Sequence, residues 1–145
     1  MERQFATFYL GDLFLGVEVE KVQEVLRYQE MTPVPLASPV VRGLINLRGQ
    51  IVTAIDLRRR FEIEERPHGK RPMNVVLRAE EAPVSLLVDE IGDVLQIGEE
   101  TLEAAPETLE GPARELIRGV FKLDGALLLV LDAEQAMNTG PAQAA

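Results

Sequence analysis

The sequence predicts an all-β fold in which two small β-barrels pack together, with short helices at strand ends and at the C-terminus. Short runs rich in Val, Ile, Leu and Phe recur between Gly, Pro and charged turn residues, a pattern typical of barrels and sandwiches. The helical segments of 10–15 residues that βαβ units need are missing. An internal repeat divides the strands into two related sets.

Eight segments have the length, the apolar content and the flanking turn residues of β-strands. Tight-turn dipeptides, Arg48-Gly49 and Asp124-Gly125, separate two successive pairs, and Asp-Gly is a strong hairpin signal. The predicted strands cover residues 5–10, 14–19, 44–47, 51–55, 74–77, 84–88, 120–123 and 126–131.

Two short helices follow strands in this prediction. Asp56 precedes residues 57–61 and Asp132 precedes residues 133–137, each placed as an N-cap whose carboxylate accepts unpaired backbone N–H groups. Gln135, three residues after Asp132, is consistent with a capping box. Residues 1–138 are predicted to form one domain with halves at about 1–68 and 72–138, exchange of strands between them being left open. Residues 139–145 are predicted to be a disordered tail.

The strongest organisational signal is the internal repeat. Residues 43–56 align without a gap on residues 119–132, an offset of 76, with Gly, Leu, Gly and Asp coinciding. Upstream, residues 20–26 align on residues 89–95 at an offset of 69, and both segments are predicted to be loops ending in Val-Leu. The chain therefore consists of two related halves.

The repeat separates residues that the fold needs from candidates for function. Gly49 recurs as Gly125, as expected of a tight turn that needs backbone freedom. Asn46 and Arg48 do not recur, because Lys122 and Asp124 stand at the related positions. The fold does not require Asn or Arg there, and both become candidates for partner binding.

Composition excludes several classes of function. Fifteen basic and 24 acidic residues give a net charge of −9, which opposes binding to nucleic acid or to an anionic membrane surface. The basic run of residues 58–60 is followed by three glutamates and is interpreted as a solvated face. Without cysteine the chain has neither disulfides nor thiolate metal sites. Without a basic and apolar leader, a cytoplasmic location is expected.

The sequence contains no catalytic signature. His68 is the single histidine and lies between Pro67 and Gly69 in a polar stretch, where a solvated loop histidine is expected. One histidine without cysteine does not make an ordinary zinc site, and no phosphate-binding or dinucleotide-binding loop is present. We therefore predict no enzyme activity, no cofactor and no metal.

The segment at residues 43–49, Gly-Leu-Ile-Asn-Leu-Arg-Gly, followed by Ile-Val-Thr-Ala-Ile-Asp-Leu at 51–57, resembles the hallmark hairpin of the CheW family. Three further features agree in order: Phe-Tyr-Leu-Gly-Asp at 8–12, Val-Gln-Glu-Val at 22–25 and Thr-Pro-Val-Pro at 32–35. The resemblance extends from about Phe5 to Met137. One departure is Thr53, where the family often has Pro.

The resemblance implies two SH3-like five-stranded barrels and a non-catalytic adaptor that joins chemoreceptor cytoplasmic tips to the CheA histidine kinase. In the family, a groove between the barrels grips the receptor hairpin, and contacts with CheA build rings within receptor arrays, in which copies of CheW itself also take part. The residues carried over for the receptor-side groove are Val22, Glu24, Gly43 and Arg48, and Asn46 of the hairpin is added to this partner-binding set.

The alternatives are of two kinds. One is a CheW-like adaptor of a different chemosensory pathway, governing surface motility or gene expression. The other is a small-molecule or nucleic-acid-binding β-barrel enzyme or module, which the acidic charge, the few aromatic residues and the single histidine oppose. Structural roles also compete for single residues, because Val22, Glu24 and Gly43 recur as Ile91, Asp93 and Gly119.

Overall fold

The structure of the chain, a computed structural model, describes residues 2–139. These residues form eleven β-strands and three short α-helices, with 3-10 turns at Val19–Lys21 and Glu99–Thr101. The strands are β1 (Glu2–Leu10), β2 (Leu13–Glu18), β3 (Val22–Leu26), β4 (Val41–Leu47), β5 (Gln50–Asp56), β6 (Met73–Leu77), β7 (Val84–Val88), β8 (Glu90–Gly98), β9 (Glu103–Ala104), β10 (Ile117–Leu123) and β11 (Ala126–Leu131). The helices are α1 (Leu57–Arg60), α2 (Pro112–Leu116) and α3 (Ala133–Met137).

The strands form two sheets, which confirms the predicted all-β class. The six-stranded sheet has the order β8-β1-β2-β11-β10-β9, and the five-stranded sheet has the order β3-β6-β7-β5-β4. Neighbours are antiparallel except for two parallel pairs, β2 with β11 and β5 with β7. The two-residue β9 gives the first sheet its sixth strand, and closure of either sheet into a barrel stays a prediction.

The predicted loops at 20–26 and 89–95 are wrong, because most of these residues belong to β3 and β8. Charged residues within both segments hide the strand pattern, and both strands lie at sheet edges, where one side of the backbone is not covered by a neighbouring strand. Strand β9 and helix α2 were also not predicted. The tail predicted at 139–145 lies outside the described residues except for Thr139.

Both predicted helix caps are present. An Asp56 carboxylate oxygen accepts from the Arg58 backbone N–H at 3.1 Å, and an Asp132 oxygen accepts from the Gln135 N–H at 3.1 Å. The return bond of a capping box is not formed at Asp132, because its own N–H donates to the Leu116 carbonyl at 2.7 Å.

The sequence repeat is also a repeat of strand pairing. Strands β4 and β10 have bounds separated by 76 residues throughout, and the two parallel pairs align Thr53 with Val84 and Leu129 with Leu15. Each sheet draws strands from both halves of the sequence. In the five-stranded sheet, β6 and β7 of the second half are flanked by β3, β4 and β5 of the first, and the six-stranded sheet has the reciprocal arrangement.

Three apolar clusters form the core. The largest joins the two sheets, since Phe8 and Leu15 of the six-stranded sheet share it with Ile55 and Leu86 of the five-stranded sheet. The five-stranded sheet has an interior cluster of Ile45, Leu47, Val52, Ala54, Val76 and Leu87. The six-stranded sheet has one of Phe5, Ile97, Phe121, Leu128 and Val130. The sheets therefore have separate interiors and one shared apolar seam.

Candidate partner-binding site

The β4–β5 turn presents the first candidate residues in a fixed conformation. Arg48 and Gly49 both have positive φ, +52° and +89°, as a two-residue type I′ hairpin loop requires. The Asn46 side-chain oxygen accepts from the Gly49 N–H at 2.8 Å and so closes the turn. The Asn46 side chain therefore stabilises the turn, although it is exposed to solvent.

The repeat-related β10–β11 turn is built differently. Lys122 stands in place of Asn46 and has no side-chain acceptor for such a bond. Gly125 has a φ of +80°, but Asp124 does not share the positive φ of Arg48. Among the described residues other than glycine, positive φ is confined to Leu36, Arg48 and Glu62. The Arg48 turn therefore has a backbone conformation that the related β10–β11 turn does not share.

The Arg48 side chain connects the two edges of the five-stranded sheet. Its guanidinium donates to the carboxylate of Glu24 in β3, although β3 and β4 are the first and last strands of that sheet. The sheet must therefore curl to bring its edges together. The Arg48 side chain remains 69% exposed, whereas that of Glu24 is 22% exposed, so the pair fixes the orientation of a cation that solvent still reaches.

Val22 and Gly43 have surroundings that a structural role explains. Val22 is half-buried against the largest core cluster, and its carbonyl accepts from the Arg78 guanidinium at 2.6 Å. A Cβ on Gly43 would lie 2.6 Å from the Thr32 carbonyl oxygen, and one on Gly119 would lie 2.7 Å from that of Glu103. Glycine is required at both related positions because another backbone crosses there.

The predicted residues do not all meet at one point. Glu24, Asn46 and Arg48 meet at the β4–β5 turn, Val22 lies two residues from Glu24 in β3, and Gly43 lies nearer the other end of β4. One apolar side chain beside the turn is unusually exposed, that of Ile51 at 53%, which pairs with Asn46 across the hairpin. We call Glu24, Asn46, Arg48 and Ile51 the turn surface.

A buried ionic cluster was not predicted from the sequence. Arg66, with a side chain only 6% exposed, donates to Asp56 at 3.2 and 3.3 Å, to Asp89 at 2.9 Å and to the Leu87 carbonyl at 3.2 Å. Arg58 binds Asp89 with two nitrogens, at 3.0 and 2.6 Å. The interpretation of residues 58–60 as a solvated face is therefore wrong for Arg58, whose side chain is 12% exposed.

The cluster joins the two sheets electrostatically. Asp89 follows β7, and its carboxylate also accepts from the Gly11 N–H of the β1–β2 turn at 2.7 Å. Burial, the largest influence on Asp89, raises its pKa, but hydrogen bonds from Arg58 and Gly11 and the charge of Arg66 together hold that pKa below its ordinary value. The hydrogen bond to Asp89 raises the pKa of Arg58 despite burial. Asp89 and Arg58 therefore both carry their charges near neutral pH.

No group of three or more His, Asp or Glu side chains between residues 2 and 139 is placed to hold a metal ion. His68 is exposed, as expected of a loop histidine. No helix in the same range is long and apolar enough to cross a membrane.

Comparisons with known proteins agree with the hairpin and the fold. The family model described as a CheW-like domain matches residues 4–140. The chain is 31% identical to the chemotaxis protein CheW of Treponema pallidum over 133 residues, covering 89% of this chain and 78% of the relative. It is 30% identical to the chemotaxis protein CheW of Bacillus subtilis over 130 residues, covering 90% and 83%.

A solved structure extends the similarity to three dimensions. The crystal structure of the scaffolding protein TtCheW from Thermoanaerobacter tengcongensis superposes with a TM-score of 0.81 at 27% identity. The match covers 91% of this chain and 90% of that one, so both sheets are shared.

Proposed function

Because the chain belongs to the family of CheW-like domains, a family of chemotaxis adaptor and scaffold proteins, we propose that it couples chemoreceptor cytoplasmic tips to the CheA histidine kinase. It does so by binding, without catalysis or a cofactor, in the cytoplasm at membrane receptor arrays. The receptor tip, the CheA regulatory domain and, in rings, further copies of the adaptor are the partners. Val22, Glu24, Gly43, Asn46 and Arg48 are the proposed contact region.

The turn surface is the observation that carries this proposal. The Asn46 side chain fixes the conformation of the turn, and Glu24 fixes the Arg48 guanidinium, before a partner binds. Less conformational entropy is therefore lost on binding. The exposed Ile51 side chain supplies apolar area, worth about 25 cal/mol per Å² before the costs of association. Arg48 then sets the orientation of a partner and the rate of association more than the affinity.

Coupling needs two partners on one adaptor. A single contact made by a small surface is weak. A lattice of adaptor, receptor and kinase makes each later contact intramolecular and so raises the overall avidity. Docking controls the kinase if it favours one arrangement of the CheA regulatory domain over another, since a ligand shifts an equilibrium only through differential affinity.

Co-sedimentation of the chain with receptor-bearing membranes and CheA tests the proposal. Arg48→Glu is expected to reduce the co-sedimented fraction several-fold. Its melting temperature should stay within a few degrees of wild type, because an exposed ion pair contributes about 0–1 kcal/mol. Arg114→Glu, an exposed arginine in α2, serves as the charge-matched control.

Two outcomes would contradict the proposal. If the wild-type chain stays in the supernatant when both partners are present, the proposed coupling function is wrong. If the Arg48→Glu variant co-sediments to the same extent as Arg114→Glu, the turn surface is not part of the contact region. Tight binding of the chain to an oligonucleotide or to a small substrate would favour the alternative of a ligand-binding module.

A further inference from the structure

An apolar groove lies where the seam between the two sheets meets the surface. We call it the seam groove; its volume is about 370 Å³, and none of the described residues that line it is charged. Ile55 of its floor belongs to the largest core cluster, and Met137 of α3 packs against that cluster. The groove therefore continues the shared apolar seam. Its lining includes Val34, Ser38, Leu44, Thr53, Ile55 and Met137.

Two hydroxyl groups line this apolar groove, and neither has a side-chain hydrogen bond within residues 2–139. Ser38 is only 8% exposed, and it is its carbonyl that accepts from the Val41 N–H at 2.9 Å. Thr53 is half-buried in β5, on the same side of the strand as Ile55. A hydroxyl in an apolar site is destabilising until it has a partner, so the two groups indicate that a ligand supplies the missing hydrogen bonds.

The Thr53 hydroxyl is a property of this chain and is not required by the fold. The related CheW hallmark often has Pro at this position, and a proline side chain forms no hydrogen bond. The repeat-related residue is Leu129, which stands at the equivalent place in a parallel strand pair, opposite Leu15 as Thr53 stands opposite Val84. Thr53 is therefore a candidate for partner selection.

An occupant of the seam groove must bind through its side chains, because the neighbouring sheet edge is already covered. Strand β4 ends the five-stranded sheet, but Thr32 and Leu44 exchange both backbone hydrogen bonds, at 2.9 and 2.8 Å. An extended peptide therefore cannot add to β4 at the groove. A helix has its backbone hydrogen bonds within itself and suits an apolar groove, and the receptor tip of the proposed function is a helical hairpin.

We propose that Thr53 selects among receptor helices by hydrogen-bonding the side-chain amide of an Asn or Gln on the helix that enters the seam groove, with Ser38 as the second hydroxyl available to that amide. The inference rests on the proposed function and names the partner chemistry within it. A charged side chain is disfavoured, because the groove offers no opposite charge. A neutral amide both donates and accepts, as a hydroxyl does. A helix with an apolar residue there would leave the hydroxyls unpaired, and sites reject ligands on that ground.

Titration of the ¹⁵N-labelled full chain with a soluble fragment of a chemoreceptor tip hairpin, followed by amide chemical shifts, tests the proposal. Thr53→Val removes the hydroxyl but keeps the branched shape, and it should weaken binding by about three- to tenfold, the effect of one hydrogen bond. Thr53→Ser keeps the hydroxyl and should bind like wild type. The matched control is Thr108→Val, at an exposed threonine between β9 and α2, which should change nothing.

The partner residue is identified with tip fragments in which each Asn or Gln is replaced by Leu, one at a time. One of these fragments should bind wild type about three- to tenfold more weakly than the unchanged fragment does. The same fragment should bind Thr53→Val at least as tightly as it binds wild type. A merely structural role of Thr53 would not produce this reversal of preference.

The outcomes separate this inference from the proposed function. If the wild-type chain does not bind the tip fragment, both are wrong. If wild type binds and Thr53→Val binds equally well, or if Thr53→Ser is as weak as Thr53→Val, the inference alone is wrong. It is also wrong if no Leu-substituted fragment reverses the preference, or if the free chain forms a dimer in sedimentation velocity that Thr53→Val dissociates, which would assign the groove to a second copy. Valine suits a strand, so Thr53→Val should keep the spectrum of the folded chain, and Ser38→Ala supplies a second loss of binding.

Discussion

Removal of the Arg66 guanidinium is the sharpest test of the ionic cluster. In Arg66→Gln, Asp56 keeps its 3.1 Å contact with Arg42, and Asp89 keeps Arg58, but both carboxylates lose a buried cation. Breaking a buried ion pair from one side typically costs about 3–5 kcal/mol. Because partners remain, we expect about 3 kcal/mol, or a decrease in melting temperature of about 6–12 °C for a chain of this size.

The pH dependence follows from Asp89. Its pKa is lower in the folded chain than the ordinary value of about 3.9, so its contribution to stability is complete above that value and is lost as the pH falls further toward the folded pKa. Arg66→Gln removes part of the cause of that depression. The difference in free energy of unfolding between wild type and variant should therefore shrink below about pH 4.

Urea unfolding at pH 7 and at a series of pH values down to 3 measures both effects. Lys70→Gln, an exposed cation of the same segment between α1 and β6 (residues 62–72), is the matched control and should change stability by less than about 0.5 kcal/mol. The reasoning fails if Arg66→Gln costs no more than this control at pH 7. It also fails if the difference between Arg66→Gln and wild type stays constant through the acid range.

Three further substitutions test the backbone and cap assignments by thermal unfolding. Gly49→Val should cost about 1–2 kcal/mol because φ is +89° there, and a melting curve equal to that of Gln50→Val would reject this reason. Gly43→Ala should cost about 1–3 kcal/mol and speed hydrogen exchange at the Thr32 amide, which bonds to Leu44 at 2.9 Å; unchanged exchange would contradict the predicted clash. Asp132→Ala should cost about 1 kcal/mol and Asp132→Asn much less, and equal losses would show that the carboxylate does not act as a cap.

The parts of the fold that could be predicted are those with strong local signals. The β4–β5 and β10–β11 hairpins have apolar strands around Gly-containing turns, and their common offset locates both at once. Asp56 and Asp132 predict the helices that follow them, because each carboxylate accepts from a backbone N–H only two or three residues further along the chain. Strands β3 and β8 were missed because edge strands contain charged residues, such as Glu24 and Asp93, that imitate a loop.

The ionic cluster could not be predicted for a different reason. Arg66 lies in a connector with Pro and Gly, and its partners Asp56 and Asp89 are 10 and 23 residues away along the chain. No periodicity links these positions, since only the exchange of strands between halves brings them together. Among the proposed contact residues, the repeat drew attention to Asn46 and Arg48, whose local surroundings differ from those of their counterparts.

The reciprocal exchange of strands bears on how one small adaptor would couple two partners. Phe8 and Leu10 share a core cluster with Leu77 and Leu86, and two inner strands of each sheet, β6 and β7 in one and β1 and β2 in the other, come from a different half of the chain than the strands that flank them. Rotation of one sheet against the other would expose this buried cluster, and burying a Leu or Phe side chain contributes about 1.5–3 kcal/mol. Under the proposed function, partners bound at different surfaces are thus held at one relative orientation. The adaptor would therefore control the kinase through the position in which it holds the kinase relative to the receptor. A conformational switch within the adaptor is not required.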